Sequence, residues 1–228
     1  MTMALGLPCR EGLLICADEE VLARGADKYY EERISCVDLF GSALVSSYGG
    51  SSDLWQEAIE KISRKLSELQ GPDEDGDVCV TPHAIYETAD EVFTGMGRPS
   101  NLQMLIGVGG VFGSPELFVF DQGAMHRAAG IRCVGAGESS LIRYLADNLY
   151  SPSMSLEAGK NLGIYLISKA AQYVNGVGAP IDAIVIAGHQ PEWLGDTEVK
   201  EREAAMLARE KSLLKQILTP PSSSATWP

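Results

Sequence analysis

Long hydrophobic runs are absent from this 228-residue sequence, and positive charge is scarce. No apolar stretch approaches the roughly 18–20 residues that a membrane-spanning helix needs, so no transmembrane segment is expected. Eighteen Lys and Arg residues face 31 Asp and Glu, a net charge of −13. That balance argues against a nucleic-acid surface and against an anionic membrane as partner. The three histidines, His83, His126 and His189, are scattered without zinc-ligand spacing, so neither a metal nor a cofactor is expected. Five cysteines (Cys9, Cys16, Cys36, Cys79 and Cys133) form no CxxC pair, and four lie in apolar runs where buried free thiols are the default. No basic stretch leads into an apolar segment of the signal-peptide type, and a reducing cytoplasm is the expected location. The glycines at 109, 110 and 113 do not complete GxGxxG and sit between two apparent strands, which excludes a dinucleotide fingerprint.

What remains is an ordinary globular composition, 45% hydrophobic and 21% charged, long enough for a substantial core. The chain opens on two short apolar runs, residues 1–7 and 12–18, joined by the polar turn Pro8-Cys9-Arg10-Glu11, and this predicts a hairpin. Removal of Met1 would leave Thr2 with a free α-amine. Such an amine, with a reference pKa of about 7.7–8.0, can take the proton of a nearby hydroxyl, so one residue offers both nucleophile and base. Asp18 ends the second strand and faces Thr2 across the hairpin.

Residues 19–32 read as a loop or irregular excursion, followed by strands at 33–37 and 42–47. Ser52 or Asp53 is the expected cap of a helix to about Leu69, with Leu54, Ala58, Ile59, Ile62 and Leu66 on its inner face. The acidic run 71–77 lacks the terminal glutamate of a calcium loop and reads as solvated. Thr81-Pro82 opens a second helix with Ile85, Ala89, Val92 and Phe93 inward. Strands are expected at 102–108, 116–120, 131–134 and 180–186, and helices at 138–149, 155–174 (Ala158, Leu162, Leu166 and Ala170 inward) and 198–218. Residues 219–228 read as a disordered tail after a single unit over 1–218. Strands apolar on both faces need cover on both sides, and two sheets stacked between helix layers provide it.

In order and spacing, several segments resemble the proteasome β-type subunits, members of the N-terminal-nucleophile hydrolases. These are Thr2 at the head of the first strand, Gly12 to Asp18, Ser46-Ser47-Tyr48-Gly49-Gly50 before a helix, Val134-Gly135-Ala136-Gly137, Met154 to Ala158, and Gly178 to Ile186. The resemblance implies an α+β, four-layer αββα sandwich, assembly into homo-oligomeric rings or spirals, and hydrolysis of peptide or small amide bonds. It also implies roles. Thr2 would be the nucleophile, Asp18 the carboxylate that orients it, and Gly49 the backbone donor to the oxyanion. The family's lysine falls on Arg33, with Lys28 the alternative under a shifted alignment, and the substrate pocket would include Val21 and Ser47. Arginine keeps the charge without releasing a proton usefully.

The family's serine in Gly-x-Gly is Ala136 here, and its Asp and Ser before the last strand fall on Val174 and Val177, with Asn175 the nearest polar residue. Two readings follow. One is a threonine-type peptidase with an altered proton network; the other is a catalytically silent subunit, a pseudoenzyme kept for assembly or binding. A cysteine nucleophile at Cys9 or Cys16 is disfavoured, because neither has a neighbouring histidine in sequence. An ATP-dependent unfolding partner is not indicated by any motif.

Overall fold

The computed structural model describes residues 2–22, 28–39, 42–69, 80–110, 113–136, 140–188 and 190–218, with the backbone alone at 20–22, 28–30, 110 and 140. Strands β1 (Met3–Cys9) and β2 (Gly12–Asp18) form the expected hairpin, in the register Ala4 opposite Ala17 and Cys9 opposite Gly12. They are two of the three inner strands of a five-stranded antiparallel sheet in the order β10-β1-β2-β11-β12, completed by β10 (Arg132–Gly135), β11 (Ile181–Ala187) and β12 (Gln190–Trp193). A second antiparallel sheet follows chain order: β5 (Ile34–Leu39), β6 (Ser42–Gly50), β7 (Leu102–Gly110), β8 (Glu116–Asp121) and β9 (Ala124–Arg127).

Period-two alternation decides which sheet face meets which layer. Leu13, Ile15 and Ala17 of β2 point at the second sheet, where Val45, Leu105, Leu117 and Val119 meet them, while Leu14 and Cys16 point the other way into helices. On the second sheet, Leu44, Tyr48, Met104, Ile106, Phe118 and Phe120 face helices α1 (Ser52–Leu69) and α2 (Pro82–Gly95). Helices α3 (Ser140–Leu149) and α4 (Leu156–Tyr173) cover the first sheet. The result is the four-layer αββα sandwich, and it explains why β1, β2 and β6 read as nearly continuous apolar runs: both of their faces are covered.

Thr81 and Ser155 cap α2 and α4, each side chain accepting from the backbone N–H three residues on. At α1 the cap is Ser51, one residue earlier than expected, with its hydroxyl facing the Leu54 N–H at 3.4 Å. Residues 19–32 are more ordered than a loop: β3 (Glu20–Leu22) and β4 (Lys28–Tyr30) pair antiparallel. The short strands β9 and β12 carry too few apolar residues to be visible in the sequence; β9 is built by the two-residue Gln122-Gly123 turn, both at positive φ.

Two packing expectations need correction. Ala158 is exposed, because the buried face of α4 starts at Gly159 and runs through Leu162 and Leu166 to Ala170. Cys36 is exposed on β5 and is no core thiol: it shares a face with the buried Ile34, but β5 is an edge strand and its cover ends at Ile34. The last helix, α5 (Asp196–Leu218), buries only Val199 and is held to α4 by polar contacts, among them Ser168 Oγ donating to Glu203 at 2.7 Å and the Lys169–Glu210 ion pair. The acidic run 71–77 and the tail 219–228 lie outside the described residues.

Candidate active site at Thr2

The hairpin register brings Thr2 beside Asp18. Thr2 Oγ1 donates to Asp18 Oδ1 at 2.9 Å, and the Met3 N–H donates to the same oxygen at 2.7 Å. The second carboxylate oxygen accepts from the Gly178 N–H at 3.1 Å, a contact that spans 160 residues of sequence. Asp18 is fully buried. Burial raises its pKa above the ordinary carboxylate range, opposed by the Met3 N–H, the Thr2 hydroxyl, the Arg33 guanidinium and the Gly178 N–H. Arg33 is itself 3% exposed and lies over the Tyr48 ring, 5.6 Å from its centroid.

The main chain of Thr2 is clamped from the other side. Its carbonyl accepts from the Ala136 N–H at 2.7 Å, so Ala136 contributes through its backbone. Gly135 sits at φ 68°, where a Cβ would lie 2.1 Å from the Thr2 carbonyl oxygen; only glycine admits this approach. The turn is held by Gln103 on β7, which accepts from the Gly135 N–H at 2.7 Å and donates to Asp121 at 2.9 Å.

A cavity of about 420 Å³ opens beside Thr2, lined by Glu31, Arg33, Tyr48, Gly49, Gln103 and Ala136 among others. Thus Thr2, Arg33 and Gly49 share one cavity, and Asp18 backs it. Ser47 does not line it: its side chain is buried and its hydroxyl donates to the Arg33 carbonyl at 2.8 Å. For Val21 and Lys28 only the backbone is described, in β3 and β4. Val177 is buried in the core of the helix-covered sheet and Val174 packs against it, so neither offers a polar group to the site. The backbone N–H of Gly178 is what this segment gives Asp18 instead. Sequence reading missed Gly178, Gln103 and Glu31, because a backbone donor and two common polar residues leave no motif. Among the described residues, no group of three or more His, Cys, Asp and Glu is gathered for a metal, and no helix is long and apolar enough to cross a membrane.

At the sequence level no curated protein matches the chain. Among solved structures it is similar to Anbu from Hyphomicrobium sp. strain MC1, with a TM-score of 0.75 at 16% identity, covering 96% of this chain and 100% of that one. Anbu from Yersinia bercovieri, described as an ancestral beta-subunit, gives 0.73 at 15% identity over 96% and 98% of the two chains. The helical assembly of the Anbu complex from Pseudomonas aeruginosa gives 0.70 at 17% identity over 97% and 99%. At such identities the likeness is one of fold. The proteasome subunit family itself matches residues 2–186, from the nucleophile candidate to the end of the buried β11. The chain belongs to the proteasome subunit family.

Proposed function

We propose that this proteasome β-like subunit is an N-terminal threonine hydrolase that cleaves peptide bonds after removal of Met1. The observation that carries the reading is the Thr2 hydroxyl, 2.9 Å from the buried Asp18 at the edge of a substrate-sized cavity. Thr2 Oγ attacks the carbonyl carbon of the scissile bond, and its proton passes to the α-amine of the same residue. The Gly49 N–H stabilises the tetrahedral oxyanion, an effect typically worth about 3–4 kcal/mol. The C–N bond then breaks as the α-ammonium protonates the leaving amine. Water, deprotonated by the α-amine, releases the acyl group from Thr2. Arg33 acts as a fixed cation beside Asp18 and takes no part in proton transfer.

A silent subunit is the second reading, favoured by the apolar Ala136, Val174 and Val177 where the family carries proton-relay partners. Either reading expects several copies to assemble, supported by the helical assembly of the Pseudomonas protein. Sedimentation at equilibrium tests that assembly.

Intact mass before and after treatment with a peptide epoxyketone separates the two, since that reagent needs both the free amine and the threonine hydroxyl. Loss of Met1 with a stoichiometric adduct, absent in Thr2→Ala, is the expected result. Retained Met1, or a processed chain that forms no adduct and hydrolyses no peptide, makes the silent reading the correct one.

A further inference from the structure

Glu31, at the rim of the Thr2 cavity, also borders a neighbouring space. The same residue lines a second, larger groove of about 590 Å³ that runs between β5, α1 and β12, with Glu32, Glu60, Cys36, Trp55 and Trp193 along it. Strand β5 is an edge of its sheet, and among the described residues no further strand pairs with it. Among the described residues nothing pairs with its outward N–H and C=O groups, and an edge strand beside a groove is the arrangement that takes an extended peptide by strand addition.

The chemistry of the walls states what kind of peptide. Glu32 and Glu60 are exposed and Glu31 is half-buried, and none of the three makes an ion pair among the described residues. Among the described residues, no Lys or Arg lines the groove. Trp193 is 48% exposed on β12 and lines the same groove, and an indole there can offer a guanidinium or ammonium a cation–π contact. Trp55 is 5% exposed and supplies apolar floor, fixed by stacking on Tyr48 and by its Nε1–H donating to Ser46 at 3.1 Å. Glu31 stands between this groove and the cavity that contains Thr2, Gly49 and Arg33, lining both.

We propose that this groove binds an extended, arginine- or lysine-rich peptide along β5, its leading residues passing Glu31 to reach Thr2. The peptide's later hydrolysis rests on the threonine-hydrolase reading; its binding does not. Basic and apolar side chains would alternate along it, the basic ones meeting the glutamates and Trp193, the apolar ones Ile34, Ile59 and Trp55. A second copy of this chain is the poorer occupant, because a molecule of net charge −13 would meet three carboxylates.

The test is fluorescence anisotropy on the full-length Thr2→Ala protein, which holds peptide without cutting it. The probe is a fluorescein-labelled peptide of alternating Arg and Val, compared with its Glu and Val counterpart. The arginine peptide is expected to bind at least about tenfold tighter, with affinity falling as salt rises. Glu32→Gln with Glu60→Gln should weaken it about tenfold while leaving the unfolding midpoint in place. Equal binding of the two peptides, or an unchanged affinity in the double variant, overturns the proposal. So does a change of sedimenting mass in the double variant, which would make the groove a contact between copies. With the unsubstituted protein, arginine peptide that binds without cleavage or epoxyketone adduct sinks the hydrolase reading alone. Cleavage indifferent to peptide charge sinks this inference alone.

Discussion

Gly49 and Gly135 pack backbone against backbone. A Cβ on Gly49 would stand 2.4 Å from the Gly135 nitrogen and 2.6 Å from its Cα. This contact joins the two sheets at the point where the proposed oxyanion donor meets the turn that clamps Thr2. Both partners are main chain, so neither can step aside by changing rotamer.

Gly49→Ala is therefore expected to cost about 1–3 kcal/mol, the usual range for overpacking a well-filled site. It should also displace the Ala136 N–H from the Thr2 carbonyl. Urea unfolding checks the first effect, and slowed epoxyketone labelling of Thr2 the second.

Gln103 carries the same turn from the opposite side through its bonds to Gly135 and Asp121. Gln103→Ala leaves both partners without that amide, at an expected cost of about 1–3 kcal/mol. Gln103→Glu keeps the acceptor for the Gly135 N–H but sets a carboxylate against Asp121. It should recover part of the loss when the pH is lowered, read as a shift of the urea midpoint.

Asp18→Ala removes the acceptor of three donors, the Thr2 hydroxyl and the Met3 and Gly178 N–H groups. Each buried donor left unsatisfied typically costs about 1–3 kcal/mol. Chemical denaturation should show a loss of that order, against which Asp18→Asn, keeping one acceptor oxygen, loses less.

Glu19, next to Asp18, has its pKa raised from 4.5 to about 7, first by burial and then by the hydrogen bond and charge of Asp182, with Asp196 and Glu32 adding repulsion. The folded state then holds a proton that the unfolded chain has released. Its contribution to stability is present below about pH 4.5 and is lost as the pH rises through about 7. Stability measured by urea unfolding across that window should fall with pH, and Glu19→Gln should reduce the slope.

Local pattern along the chain accounts for much of the architecture. Alternation within β1, β2 and β6 decides which side chains face which layer, and the turn at residues 8–11 fixes the register that sets Thr2 beside Asp18. Helices α1 and α2 were legible from Ala58, Ile62, Ile85 and Phe93 because a 3.6-residue period needs no knowledge of what covers it. Such features are local: nearest neighbours and strand alternation suffice to specify them. The tertiary structure decided the rest. Gly178 reaches Asp18 from 160 residues away, by a backbone N–H that carries no side-chain signature. Gln103 meets Gly135 only because β7 and β10 lie in facing sheets. Glu31, Glu60 and Trp193 come from a connecting segment, a helix and an edge strand, and share a groove only once the four layers are stacked. A site assembled across layers is specified by packing geometry, and no spacing within the chain encodes that distance.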